Sequence, residues 1–301
     1  MTLGLQAQKK TREEKSKHSR GILLLIITTV LWGTSFPLLK QVVGDVSPAV
    51  ILAVRSTIAA AVFVPWLRKL DATLLRDGAF LGVLYFAECA TALLGLETIS
   101  ANRSAFIISF NVILVPIFSV CFGKKLSLQV ICAAGLAIAG IGILSWEGGG
   151  WSQGDWLTLG CAIGVATHIL TLGVLSPRHA TLPLVAVQLG VMSLLSLTWA
   201  APQLVEQMAA VAQHSHTLLY IGLAVTATPI WTQTIAQRYV AAHETAFIYT
   251  LEPVFAAIFS FGLLGEQLGI RGMIGAALVL IATFWSQQKS EVSKSPEGEA
   301  R

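Results

Sequence analysis

Residues 245–269 read TAFIYTLEPVFAAIFSFGLLGEQLG. The stretch is apolar enough for a bilayer, yet Glu252 and Pro253 stand in its middle. A carboxylate is costly in hydrocarbon, and a proline removes one helix hydrogen bond. Residues 104–119, SAFIISFNVILVPIFS, sharpen the question. Displaced by 141 positions, the two stretches match at Ala105/Ala246, Phe106/Phe247, Ile107/Ile248, Ile117/Ile258, Phe118/Phe259 and Ser119/Ser260. Asn111 then falls opposite Glu252. The chain holds two copies of one segment, and the copies differ at one polar position.

Composition sets the class. Of 301 residues, 54% are hydrophobic and 12% charged, with a mean hydropathy of +0.72. Soluble domains carry about 25% charged residues, so this balance belongs to a polytopic membrane protein. The net charge of +4 sits mostly in tails and short loops, which argues against a nucleic-acid partner. Cys89, Cys121, Cys132 and Cys161 all fall in apolar segments and read as small buried side chains, not as a disulfide or metal set.

A spanning helix needs about 20 apolar residues. Ten segments qualify: 21–41, 47–67, 78–96, 102–122, 127–146, 154–175, 182–201, 217–236, 243–264 and 269–286. Their runs are continuous, not alternating, which excludes a β-barrel. Lys and Arg favour the cytoplasmic side. With the N-terminus inside, only Lys40, Arg103 and Arg271 fall on outer ends, Arg55 falls within a helix, and the rest of the 20 basic residues lie inside. Both termini are therefore expected in the cytoplasm. The first 20 residues read as a basic cytoplasmic tail, and the apolar run past Trp32 as a retained helix, not a cleaved signal.

Five segments per half is an odd number, so two repeats must enter the membrane in opposite directions. GKKL (123–126) follows the fourth segment and GEQL (265–268) the ninth; Glu97 precedes the fourth and Arg238 the ninth. In each pair the basic copy lies on the expected inside. The expected organisation is a tail (1–20), a first five-helix repeat (21–146), an outside linker (147–153), a second repeat (154–286) and a cytoplasmic polar tail (287–301). The fold class is all-α, with ten transmembrane helices in two inverted five-helix repeats. Secondary transporters commonly use this architecture, with the substrate site at the midplane between repeats.

TTVLWGTSFPLLKQ (28–41), SPAVILAVRSTIAA (47–60), ETISANRSAFIISFNVILVPIFS (97–119) and the LEP…FGLLGEQL block (251–268) resemble the EamA-type, ten-helix members of the drug/metabolite transporter superfamily. The likeness runs from about 21 to 286. It implies two inverted repeats, a central cavity and export of small metabolites or toxic compounds across a bacterial inner membrane. GKKL departs from the Gly-Glu pair of many first halves, which topology explains.

Four ionisable residues stand out inside the segments, away from their ends: Arg55, Glu88, His168 and Glu252. Such groups face a cavity or a partner. Glu252, about 13 Å along its helix, fits a site for a cation or proton, or a packing and gating role. Glu88 fits substrate choice or proton coupling, or a buried pair with Arg55. Arg55 fits a fork for a substrate carboxylate, or an anchor for either glutamate. His168 fits an inter-helix hydrogen bond or a proton relay. Trp32, Tyr85, Trp231 and Tyr249 are aromatic candidates for the cavity wall. Asn111, Gln188 and Gln233 are neutral polar candidates at similar depth. Trp66, Trp146, Trp151, Trp156, Trp199 and Trp285 read as interfacial belt residues. His214 and His216 lack a third ligand nearby, and neither metal nor cofactor is expected.

No Walker-type loop or HExxH helix is present, and the ionisable groups are isolated, so an enzyme is disfavoured. The expected partners are a small-molecule substrate, protons if transport is coupled, and membrane lipid. The spacing of Ala133/Ala137, Gly135/Ala139 and Gly272/Ala276 suits either packing within the bundle or a homodimer face. A lipid or lipid-headgroup translocator and a membrane scaffold are the alternative functions.

Overall fold

In a computed structural model of the chain, the described residues are 2–68, 70–121, 127–145, 150–264 and 269–292. The GKKL and GEQL stretches, Trp146, part of the linker and most of the C-terminal tail lie outside them. The helices are α1 (Thr2–Val42), α2 (Pro48–Phe63), α3 (Ala72–Thr98), α4 (Ala101–Ile108), α5 (Asn111–Cys121), α6 (Leu128–Ser145), α7 (Gln153–Leu175), α8 (Thr181–Leu204), α9 (Met208–Gln213), α10 (Ser215–Tyr220), α11 (Thr228–Ala236), α12 (Ala242–Tyr249), α13 (Glu252–Leu264) and α14 (Ile270–Val292). Among the described residues there is no strand. Among the described residues, seven helical stretches are long and apolar enough to cross a membrane, and two shorter apolar helices cover Leu128–Ile143 and Ile270–Trp285.

Local chemistry sets many of the ends. Pro48 opens α2, where its missing N–H costs nothing. The Asp71 carboxylate accepts the Leu74 N–H (2.7 Å) to start α3. Ser100 accepts the Arg103 N–H (3.1 Å) to start α4. Ser152 and Asp155 cap α7 reciprocally. The polar tail is helical from Thr2 onward, continuous with the first apolar segment. Its residues are good helix formers without Gly or Pro between 5 and 20, and Lys17 pairs with Glu13 one turn earlier (2.8 Å).

The fourth and ninth segments, expected as single helices, are each broken. α4 gives way to α5 at Ser109-Phe110, and α12 to α13 at Thr250-Leu251. The two breaks are 141 positions apart, the offset of the sequence match. At each, a hydroxyl bonds a carbonyl of the preceding turn: Ser109 to Ala105 (2.8 Å) and Thr250 to Phe247 (2.6 Å). Pro253 thus kinks no long helix. It sits in the first turn of α13, where no intrahelical N–H is needed, and Glu252 faces the positive end of that helix.

α1 packs against α11, α12 and α13; α7 packs against α3, α4 and α5. α3 also contacts α8, α2 contacts α8 and the wide turn Ile221–Ala227, and α6 lies along α14. Hydroxyl and amide pairs stitch these contacts: Thr28 with Thr232 (2.7 Å), Thr57 with Ser193 (2.9 Å) and Thr250 with Thr283 (3.1 Å). Gln233 donates to Gln237, which donates to the Ile169 carbonyl of α7 (2.8 Å). Helix ends and loops are tied across the halves by Asp77–His179 and Asp45–His214, both 2.8 Å. Ala133 and Ala137 are buried within the bundle, whereas Gly135 has nothing within 4 Å of its Cβ position. Leu128, Trp156, Leu194 and Phe284 are largely exposed, as side chains facing lipid would be.

Candidate functional site

Helical spacing brings one face of each of several helices to a common cavity. α1 contributes Trp32, Ser35, Phe36 and Leu39, at the i, i+3, i+4, i+7 positions of one stripe. α3 contributes Tyr85, Glu88, Cys89 and Ala92 in the same way. α2 supplies Arg55, α4 Ser104 and Ile108, and α7 Cys161 and Val165. The helix breaks supply Asn111, Tyr249 and Glu252. The cavity holds about 760 Å³ of non-atom space, its open mouth included.

Its wall is polar in an unusual way. Arg55 Nε, Glu88 Oε2, Ser104 Oγ, Asn111 Oδ1 and the Tyr249 hydroxyl are buried without a protein hydrogen-bond partner. A buried polar atom left unpaired costs about 1–3 kcal/mol. A solute carrying both donors and acceptors would relieve several of these costs at once. Arg55 forms no ion pair with Glu88 or Glu252 among the described residues. Glu88 instead meets His168 Nδ1 through Oε1 at 3.3 Å.

Trp32 is fixed at its polar end. Pro229 has no N–H to offer the carbonyl four residues back, that of Val225, and the Trp32 indole N–H takes it (3.2 Å). The ring then stands edge-on to Tyr249, centroids 4.9 Å apart. α3 and α7 approach closely beside Glu88, because a Cβ on Gly164 would lie 3.0 Å from that of Glu88. His168, one turn further along α7, thereby reaches the carboxylate.

The EamA-like transporter family matches residues 19–146 and again residues 152–286. The chain belongs to the EamA-like transporter family. An uncharacterized transporter from Archaeoglobus fulgidus is 28% identical over 266 residues, covering 86% of this chain and 83% of that protein. A solved crystal structure shares the fold, with a TM-score of 0.73 at 17% identity over 92% of this chain and 99% of that one. The protein is thus a multi-pass membrane transporter.

In this EamA-like transporter, Trp32, Arg55, Tyr85, Glu88, Asn111, Tyr249 and Glu252 line the cavity. His168 and Gln188 stand one layer behind it, bonded to each other at 3.0 Å. Trp231 is 40% exposed and absent from the cavity wall. Trp199 packs on Phe86, with centroids 6.0 Å apart, while Trp151 and Trp156 are exposed. His214 bonds Asp45, and no three His, Cys, Asp or Glu side chains converge among the described residues. Ser35, Cys89, Ser104 and Cys161 line the cavity but were not singled out from the sequence. Ser35 shares a helical stripe with Trp32, Cys89 with Tyr85, and Cys161 lies two turns before His168 on α7; Ser104, on α4, carries no such signal.

Proposed function

We propose that this EamA-like transporter carries small organic metabolites, amino-acid-like or drug-like, out of the cytoplasm by alternating access. It does so across a bacterial inner membrane, through ten spanning helices in two inverted five-helix repeats with both termini cytoplasmic. The observation that carries the substrate reading is the cavity wall: a guanidinium and two carboxylates that do not pair with one another, among aromatic rings. Arg55 suits a carboxylate of the solute, and Glu88 or Glu252 its amine. The wall draws on helices of both halves, as a site at a repeat interface would.

The contact pattern supports the repeats. Exchanging the halves carries α3–α7 onto α11–α1, and α4 and α5 on α7 onto α12 and α13 on α1. The α2–α8 and α6–α14 contacts map onto themselves. Arg103 and Glu244 stand 141 positions apart. Arg103 reaches Asp155 at the start of α7, and Glu244 reaches His18 on α1 (3.1 Å). The matching positions 103 and 244 thus carry opposite charges in the two halves.

The test is untargeted mass spectrometry of the medium around cells overproducing the wild type or an Arg55→Ala, Glu88→Gln double variant, at matched membrane levels. Loss of charge-assisted contacts predicts a solute enriched about tenfold or more outside wild-type cells relative to the variant. Trp231→Ala, which changes no cavity residue, should retain the wild-type enrichment. Equal enrichment by wild type and double variant would remove the cavity assignment. No enrichment by any of them would remove the export reading.

A further inference from the structure

His168, Glu88 and Gln188 form a chain running from the cavity into the protein. His168 is 2% exposed, Glu88 5% and Gln188 0%. The Gln188 Nε2 and the His168 Nε2 lie 3.0 Å apart. An amide nitrogen does not accept a hydrogen bond, so Gln188 donates and the ring nitrogen accepts. The ring proton therefore sits on Nδ1, directed at Glu88 Oε1. This arrangement leaves Gln188 Oε1 and Glu88 Oε2 both buried and without a partner.

A second arrangement uses one of these orphaned atoms. If Nε2 takes up a proton, it becomes a donor, and the Gln188 amide turns over to present Oε1 to it. Nδ1 keeps its proton on the Glu88 carboxylate. The only species gained is one proton from the aqueous cavity, and the Glu88–His168 pair passes from net negative to neutral. We propose that His168, held by Glu88 and read by the orientation of the Gln188 amide, is a proton-binding site one layer behind the cavity wall, reached through Glu88. It rests on the transporter reading for its purpose.

The surrounding groups bear on the two states. From α2 Arg55 opposes the proton and favours the negative pair. From α3 Tyr85 lies against the His168 ring, centroids 5.6 Å apart, and Cys89 lines the cavity one turn further on. Cys161 from α7 and Glu252 from α13 complete the cavity side, and Glu252 would favour the proton only in its charged form. A cationic solute group at Glu88 Oε2 would repel the protonated ring behind it. Proton and solute amine thus compete for one carboxylate, which is the elementary requirement for exchanging one against the other.

The test needs no solute. The protein, labelled with ¹⁵N-histidine in lipid nanodiscs, carries six histidines, and a His168→Gln spectrum assigns the ring. At alkaline pH the wild-type ring should be the Nδ1–H tautomer, and acidification should convert it to the doubly protonated form. Glu88→Gln should move that conversion to lower pH by roughly one unit or more. Gln188→Met keeps the volume and removes the bond in both states; the charge-assisted bond of the protonated ring is the stronger, so the conversion should move the same way. An Nε2–H tautomer in the alkaline wild type would overturn the site without any variant having to fold. Conversion at the wild-type pH in Gln188→Met would overturn it as well. Because no transport is measured, failure here leaves the export reading standing, and a failed search for a solute leaves the proton site standing.

Discussion

Replacing Gly82 by leucine is expected to leave almost no folded protein. Gly82 lies on α3 where it crosses α8. A Cβ there would stand 2.6 Å from the Gln188 carbonyl oxygen and 2.8 Å from the Val191 Cβ. One turn earlier, a Cβ on Gly78 would stand 2.8 Å from Val187. The pair forms a small-xxx-small seam that lets two backbones touch. The nearest obstacle at Gly82 is backbone, which cannot rotate aside, so the helices must part. Overpacking costs about 1–3 kcal/mol, and more when backbone must move. The check is the yield and the size-exclusion profile in detergent, beside Gly135→Leu. Gly135 meets nothing within 4 Å, so that variant should behave as wild type. A monodisperse Gly82→Leu protein at wild-type yield would contradict the α3–α8 crossing.

The second large effect is expected at Arg103→Ala. Asp155 is fully buried at the start of α7. Arg103 forks onto it, Nε to Oδ1 at 2.6 Å and Nη2 to Oδ2 at 3.0 Å. The same guanidinium also bonds the Gly150 carbonyl (2.8 Å), so one side chain ties α4, the preceding loop and α7 together. Removing it leaves the carboxylate held only by the Ser152 N–H and hydroxyl, at a cost of about 1–3 kcal/mol. Adding Asp155→Asn removes the unpaired charge while keeping an acceptor for Ser152, and should restore part of the loss. Thermal unfolding in detergent, followed by tryptophan fluorescence, measures both. A single variant that melts at the wild-type temperature would show that the pair is not the brace described here.

Much of the scaffold was readable beforehand because lipid imposes a simple rule. Every apolar segment named from the sequence carries helix, since a backbone in hydrocarbon must satisfy its own hydrogen bonds. The break at Thr250-Leu251 was half readable. Glu252-Pro253 was recognised as a disturbance, but a proline within an apolar run reads equally as a kink or as a fresh helix start. The hydroxyls of Ser109 and Thr250, bonding back one turn, decide for the start. The GAFLG stretch at 78–82 carried a packing signal that stands out only once α8 is known to lie against it.

The site divides along the same line. Arg55, Glu88, His168 and Glu252 stood out because ionisable groups are rare in spanning segments. Which of them pair could not follow from spacing: Arg55, Glu88 and His168 lie on α2, α3 and α7, so their meeting depends on how those helices cross. Arg103 reads from the sequence only as an outer charge and Asp155 carries no signal there; the two become a brace only through the α4–α7 contact. Trp231 shares the composition of the cavity aromatics but faces outward, because its register on α11 turns it away.

The sequence by itself determined the membrane class, the helical segments and the presence of two related halves, because hydropathy and a repeat offset are properties of the chain read in order. Only the tertiary structure decided that Glu88 turns to His168 and not to Arg55. It alone decided that Gly82 and Gly164 are crossing points and that the helix breaks open onto a shared cavity. Those outcomes depend on angles and registers between helices, where a difference of one residue rotates a side chain by about 100°.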